Sequence, residues 1–351
     1  MTDLLLPGIA SRRVPARRLT INVLDDGRPG GEPVLFIHGN VSSALFFQTT
    51  LLALPEGFRG IALDLRGFGD TDPEPVDATR GLADYSDDVA ALIDALELDR
   101  PHVVGWSMGS GVALQLLLDH AERLASLTLV APVSPYGFGG TRDADGTPLS
   151  SDGAGTGGGT VNPDFVARLA AGDTSDEAST SPRQVLRAHY VKPPFVPAQE
   201  DIYVASMLST RTGENHYPGD LRPTEAWPQV AAGDRGVLNT MSPTHLRLDG
   251  IDRVRPKPPI LWIRGDSDVI ISDTSAYDLA YLGSLGAVPD WPGIEQVPPQ
   301  PMVTQTRAVL RRYADAGGSY REVVITEAGH SPFLEKPEDF LAALTDFLRG
   351  V

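Results

Sequence analysis

Cysteine is absent from the chain. That excludes disulfides, thiolate metal sites and a thiol nucleophile, and leaves the redox compartment undecided. Basic residues are also scarce: 29 Lys and Arg face 46 Asp and Glu, a formal charge of −17, with no Lys/Arg-rich run. Nucleic acid and anionic membranes are therefore poor partners, and small soluble ligands better ones. No apolar run approaches the ~20 residues needed to cross a bilayer. Met1 to Arg18 has no long apolar core and carries its arginines after its leucines, unlike a secretory leader, so a cytoplasmic location is expected. At 351 residues the chain exceeds a typical domain, which implies one enlarged domain or a core with an inserted module.

What is present is organised around His102 to Gly111, H-V-V-G-W-S-M-G-S-G. A short apolar run, Val103 and Val104, leads into Gly105-Trp106-Ser107-Met108-Gly109, and a helical pattern follows from Val112 to Leu118. This reads as strand, tight turn and helix with a serine at the turn. Side chains at Gly105 and Gly109 would collide with neighbouring backbone in so sharp a turn. The turn lifts the Ser107 hydroxyl out of the sheet, over unpaired N–H groups at the start of a helix.

Other short stretches fall in a telling order: His38-Gly39, Asp64-Leu65-Arg66-Gly67-Phe68-Gly69, the G-W-S-M-G turn, Gly265-Asp266-Ser267-Asp268 and Gly329-His330. In order and rough spacing they resemble the α/β-hydrolase family. The resemblance implies an α/β-hydrolase fold, a mostly parallel central sheet flanked by helices with an inserted, mainly helical lid. It implies a core of residues 1–132 and 257–351 and a lid of 133–256. It also implies Ser107 as nucleophile, His330 as base, Asp268 as the acid that orients His330, and an oxyanion hole made by the backbone N–H groups of Asn40 and Met108. Asp266 is the rival acid. The preceding strand's end, Ala131 to Tyr136, contains no Asp or Glu that could replace either. No cofactor and no metal is called for.

The remaining segments read as follows. Arg18 to Asp25 alternates and Asp25 to Gly31 is rich in turn formers, which suggests opening strands joined by a hairpin. Pro33 to Gly39 carries four consecutive apolar residues ending at a glycine turn, as in a central strand covered on both faces. A helix over Ser42–Leu54 and a strand over Phe58–Leu65 follow, and Asp64 and Arg66 are expected to hold their loop. Tyr85–Leu96 places Val89, Leu92, Ile93 and Leu96 at helical spacing. His102, at the start of the elbow strand, is expected to be packed. Leu127–Val130 is a further strand.

From Gly137 to Thr160 nine glycines lie among Ser, Asp and Thr, which reads as a mobile loop. Helical patterns then occupy Pro163–Ala171, Ser181–Tyr190 and Asp201–Leu208. Within the expected lid, Tyr136, Phe138, Phe195, Tyr203, Tyr217 and Trp227 are the candidate substrate wall, and Arg183, Arg187 and Arg211 could form a local carboxylate site. Ile260 to Ile263 is a buried strand. Asp278 to Ala316, with a Pro/Gly-rich piece at Pro289 to Pro301, is longer than the family's usual helix here. Two readings of it stay open: an elaboration near the mouth, or a homo-oligomer contact. A strand over Arg321–Ile325 and a helix over Pro337–Leu348 close the chain.

Together these parts point to a serine hydrolase. Its expected substrate is a carboxylic ester or lactone of a neutral, mainly apolar small molecule, cleaved through an acyl-enzyme. Three rivals bear on this. His38-Gly39-Asn40-Val41-Ser42-Ser43 is similar to the haloalkane dehalogenase stretch H-G-N-P-T-S-S, but those enzymes use an aspartate nucleophile where this chain has Ser107. Carbon–carbon bond hydrolases of the fold also use Ser, Asp and His, but their H-G-S-G-P-G stretch is missing. A ligand-binding, receptor-like member with a retained triad is the non-enzymatic alternative.

Overall fold

A computed structural model describes residues 4–351; the first three residues of the Met1–Arg18 stretch lie outside the described residues. Eight strands form one sheet: β1 (Ala10–Ala16), β2 (Leu19–Asp25), β3 (Glu32–Ile37), β4 (Phe58–Leu63), β5 (His102–Trp106), β6 (Ser126–Val130), β7 (Ile260–Gly265) and β8 (Tyr320–Ile325). Their spatial order is β1-β2-β4-β3-β5-β6-β7-β8. β1 and β2 are antiparallel to their neighbours and all later pairs are parallel. The Val34–Ile37 run, all of β5 and all of β6 are buried. Central parallel strands are covered on both faces, which is why they carry continuous apolar runs instead of alternation.

Helices α1 (Gln48–Ala53), α2 (Ala83–Ala95), α3 (Met108–His120), α9 (Met302–Asp315) and α11 (Pro337–Leu348) flank this sheet. α3 packs on β5, α1 on β4, and α9 and α11 on β8. α2 buries Val89, Leu92 and Ile93, the stripe read from their spacing. The expected helix over Ser42–Leu54 is divided, with a 3-10 turn at Ala44–Phe47 preceding α1. The opening hairpin turns at Arg17-Arg18, joining β1 to β2. The Gly-rich turn at residues 25–31 instead connects β2 to β3, strands that β4 separates.

Between β6 and β7 the chain leaves the sheet and forms α4 (Pro163–Ala171), α5 (Pro182–Val185) running into a π turn (Leu186–Tyr190), α6 (Glu200–Leu208) and α7 (Val237–Thr240). The expectation of a mobile loop over Gly137–Thr160 is wrong. Gly137, Gly153, Gly157 and Gly158 are buried, and Thr141–Arg142 pairs with Thr147–Pro148. Gly137, Gly139, Gly140, Gly146, Gly153, Gly155 and Gly157 take φ between +65° and +92°. At Gly157 a Cβ would fall 2.2 Å from Asn239 Oδ1 and 2.7 Å from Ala232 Cα. These glycines supply left-handed turns and close approach, not slack.

The segment between β7 and α9 packs on this region. Gln300 accepts a hydrogen bond from Gly139 N at 2.6 Å and donates to Gly137 O at 3.1 Å. Arg142 donates to Gln296 O at 2.9 Å. No helix among the described residues is long and apolar enough to cross a membrane.

Candidate active site

Ser107 sits between β5 and α3 with φ 57° and ψ −118°. A non-glycine residue there carries strain of about 1–3 kcal/mol, which the surroundings must over-determine. They do so by hydrogen bonds. Ser107 N donates to Val130 O at 2.9 Å, and Ser110 Oγ donates to Gly105 O at 2.6 Å. A Cβ on Gly105 would lie 2.3 Å from Gly109 O, and one on Gly109 would lie 2.2 Å from Ile37 O. The glycine spacing is thus a steric requirement of the turn.

His330 follows β8, on a loop ending at α10 (Pro332–Glu335). Its Nδ1 donates to Asp268 Oδ2 at 2.8 Å, and both side chains are buried. A carboxylate can only accept, so Nδ1 carries the proton and a neutral ring keeps Nε2 as its acceptor. Asp268 Oδ1 accepts from Ile270 N at 2.8 Å and Ile271 N at 3.0 Å, which fixes the carboxylate's orientation. The rival Asp266 is exposed and accepts from Glu327 N and Ser267 Oγ instead. Trp106 Nε1 donates to His330 O at 2.9 Å, and the Trp106 ring lies 5.5 Å from that of His330.

Asn40 lines the same cavity as Ser107, and Met108 opens α3 directly after that serine. Among the described residues no protein acceptor takes either backbone N–H. The next residue, Val41, has φ 47°, an unusual conformation for a β-branched side chain. Tyr190 Oη donates to Asn40 O at 2.9 Å, tying the π turn to this loop. The Asn40 side chain turns back on its own loop, Oδ1 accepting from Val41 N at 3.0 Å.

Two other histidines have structural surroundings. His38 is fully buried, its Nδ1 donating to Gly39 O at 2.7 Å and its Nε2 accepting from Leu65 N at 2.9 Å. Burial pushes its pKa down to about 4. His102 bonds Ser126 Oγ at 2.8 Å, consistent with a packed strand residue. Arg66 is clamped by Asp88 at 2.6 and 2.7 Å and by Asp84 at 3.1 Å, while Asp64 accepts from Ala44 N at 2.7 Å and Asp70 N at 3.0 Å. Both therefore hold the loop, as their glycine-flanked spacing suggests.

Ser107, His330 and Asn40 line one cavity of about 420 Å³. Of the aromatic wall expected from sequence, Phe138 and Tyr217 line it. Tyr203 stacks on Phe46 at 4.7 Å, Tyr136 bonds Arg312, and Trp227 bonds Pro289 O, while neither they nor Phe195 reach the cavity. Phe165, Tyr190 and Tyr277 take their places. Tyr190 ends a helical pattern and gave a weak signal; Tyr277, beyond β7, gave none. Sequence reading also missed Glu335, whose buried carboxylate accepts from Gly329 N at 2.8 Å and Lys192 N at 2.6 Å, so it ties the His330 loop to the segment that follows the π turn. Leu279 and Leu282 of α8 (Leu279–Ser284) line the cavity too, placing the start of the 278–316 elaboration at the site.

No Lys, Arg, Asp or Glu lines the cavity among the described residues. The three arginines that could have formed a carboxylate site lie elsewhere. Arg183 and Arg187 are held by Glu200 at 2.6 Å each, and Arg211 lines a separate surface cleft with Arg13 and Asp72.

Residues 32–290 match the family described as alpha/beta hydrolase fold. The chain belongs to that family. It is 26% identical over 262 residues to a 2-(acetamidomethylene)succinate hydrolase of Mesorhizobium japonicum, covering 75% of this chain and 80% of the relative. It is 46% identical over 105 residues to a Variovorax paradoxus protein named as a carbamate hydrolase, a match covering 30% of this chain and 39% of that one. Other curated relatives are likewise spanned over little of their length, 28% in one case and 25% in another. A carboxylesterase from Bacillus subtilis superposes with a TM-score of 0.60 at 15% identity, covering 99% of this chain and 94% of that one, which shows the shared fold.

Proposed function

We propose that the protein is a serine hydrolase that cleaves a carboxylic ester or lactone of a neutral, mainly apolar small molecule. The observation that carries this reading is the His330–Asp268 pair opening, with the strained Ser107, into one cavity without an ionic side chain. In this reading His330 Nε2 takes the Ser107 proton as Oγ attacks the acyl carbon, and Asp268 steadies the imidazolium. The N–H groups of Asn40 and Met108 receive the oxyanion. Collapse expels the alcohol, protonated by His330. Water, deprotonated by the same ring, then attacks the acyl-enzyme and releases the acid.

Substrate charge separates this chain from the Mesorhizobium japonicum relative. A succinate derivative bears carboxylates, and a buried carboxylate needs a cationic partner. The cavity offers none, so that substrate does not carry over. Its size suits a molecule of roughly drug scale, within the usual range of about 300–1,000 Å³. A lactone fits well because its alcohol stays tethered after acyl transfer, so the cavity must hold the opened product while water attacks. The test compares kcat/KM for a neutral lactone, its acyclic ester and a carboxylate-bearing ester of similar size. The two neutral compounds should exceed the anionic one by tenfold or more, and preference for the anion would refute the reading.

A further inference from the structure

The cavity wall holds polar groups that the chemistry of acyl transfer does not use. His189, on the π turn Leu186–Tyr190, lines the cavity, and its Nδ1 is fully enclosed with no hydrogen-bond partner among the described residues. That nitrogen is closed off from the cavity as well as from solvent, so the ring can meet a ligand only through Nε2, and among the described residues no hydrogen bond to the protein contributes to the ring's surroundings. Burial pushes the ring's pKa below its ordinary value, which keeps it neutral near pH 7. Its ring meets Tyr277 edge-on, centroids 5.2 Å apart.

Tyr217 stands in the same wall, its ring 6.4 Å from Phe165 and perpendicular to it. Its side chain is buried, and only burial and the nearby Tyr277 phenol raise its pKa, with no hydrogen bond to the protein contributing. Three other polar wall groups are engaged within the protein, whereas the Ser179 hydroxyl and the Tyr277 phenol have no side-chain hydrogen bond among the described residues. Thr160 Oγ1 donates to Gly157 O at 2.8 Å, Thr180 Oγ1 donates to Asp164, and Asn162 Oδ1 accepts from Asp164 N at 3.0 Å. The wall therefore presents the His189 imidazole and the Tyr217 phenol, both neutral and both unspent, with the Tyr277 phenol near each of them. A hydroxyl can donate and accept at one atom, so it satisfies a phenol and an imidazole in either tautomer.

We propose that His189 and Tyr217 recognise an uncharged hydroxyl on the substrate, so that the preferred ester or lactone is an apolar compound bearing a free alcohol or phenol away from the scissile bond. This rests on the ester or lactone reading of the same site. A site built to pair a substrate hydroxyl discriminates against the analogue lacking it, because its own buried groups are then left unpaired.

The experiment uses two matched pairs: the p-nitrophenyl esters of p-hydroxyphenylpropanoic and phenylpropanoic acid, and p-hydroxyphenethyl and phenethyl acetate. They place the hydroxyl on the acyl side and the alcohol side. The readout is the ratio of kcat/KM, hydroxylated over plain. In at least one pair it should be about tenfold or more in the wild type, fall toward one in Tyr217→Phe and in His189→Phe, and be largely kept in His189→Gln. A wild-type ratio near one in both pairs, or a ratio that neither Phe variant moves, overturns the proposal while leaving ester hydrolysis intact. If no ester is turned over, the hydrolase reading fails separately. Calorimetric binding of p-hydroxyphenylpropanol against phenylpropanol then decides: a preference that Tyr217→Phe removes supports the proposal, and no preference overturns it.

Discussion

Asp268→Asn should lower kcat/KM on p-nitrophenyl esters by about 10³–10⁴, and the reason lies in which oxygen is pinned. Oδ1 accepts two backbone N–H groups, from Ile270 and Ile271, whereas among the described residues Oδ2 accepts only from His330 Nδ1. Asparagine has one acceptor oxygen. Placing its NH₂ against the two backbone N–H groups would bury two donor clashes, so the oxygen stays on that side and the NH₂ faces His330. The imidazole must then accept at Nδ1 and carry its proton on Nε2, the tautomer unable to take a proton from Ser107. In serine proteases with the same triad chemistry, this tautomer error costs about 10⁴ in turnover with geometry intact. That corresponds to roughly 5.5 kcal/mol at about 1.4 kcal/mol per decade. Asp266→Asn keeps an acceptor oxygen for Glu327 N at an exposed site, so it should change kcat/KM less than about threefold. Steady-state kinetics over an ester chain-length series, with circular dichroism to confirm folding, measures both. An Asp268→Asn enzyme within tenfold of wild type, or an Asp266→Asn enzyme that is worse, would refute the assignment.

Two further expectations follow from the same geometry. Ser107→Ala and His330→Ala should each abolish ester turnover to a similar degree, with the double variant little worse, because nucleophile and base act as one unit; defects that multiply in the double variant would separate their roles. Stability should fall as pH drops from about 6.5 to about 4 partly because of His38: unfolded His38 binds a proton near its ordinary value, native His38 only near 4, so over that window the unfolded state holds more protons. The component is about 3 kcal/mol at about 1.4 kcal/mol per unit, fully present above the unfolded value. Urea titrations between pH 7.5 and 4.5 should show a shallower slope for His38→Gln than for wild type, and identical slopes would remove His38 as a contributor.

The parts of this fold that were legible in the sequence are those where backbone geometry and chemistry share neighbouring residues. At Gly105-Trp106-Ser107-Met108-Gly109 the turn forbids any Cβ at its two ends, so the requirement is written into residue type. The same holds for β3 and β5, whose burial on both faces demands unbroken apolar runs. The acid was resolvable to two positions but not one, since Asp266 and Asp268 are both carboxylates after a strand. Their difference is tertiary: Asp268 is turned inward by the Ile270 and Ile271 amides, while Asp266 points outward to Glu327 N. The cavity wall was less legible for the same reason. Aromatic identity marks Tyr136, Tyr203 and Tyr217 alike, yet only Tyr217 faces the cavity, because Tyr203 is taken by Phe46 and Tyr136 by Arg312.

The glycine-rich stretch shows how composition alone misleads. Glycine lacks a side chain to anchor it, which in an isolated chain means freedom, and freedom is what nine glycines in 24 residues suggest. The same lack lets a backbone turn through positive φ and approach a neighbour where no other residue fits. What separates the two outcomes is whether partners exist, and here they come from distant parts of the chain. Asn239 Oδ1 accepts from Gly158 N at 2.8 Å, Gln300 bonds both Gly137 and Gly139, and Thr156 Oγ1 meets Ser242 Oγ at 2.7 Å. Those partners lie 81 to 163 residues away, beyond the reach of any local pattern. Gly139, Gly155 and Gly157 then form cavity wall from backbone alone. In this chain the glycines make room at the site, and a side chain added at Gly157 would close it against Asn239 and Ala232 before it could reach a substrate.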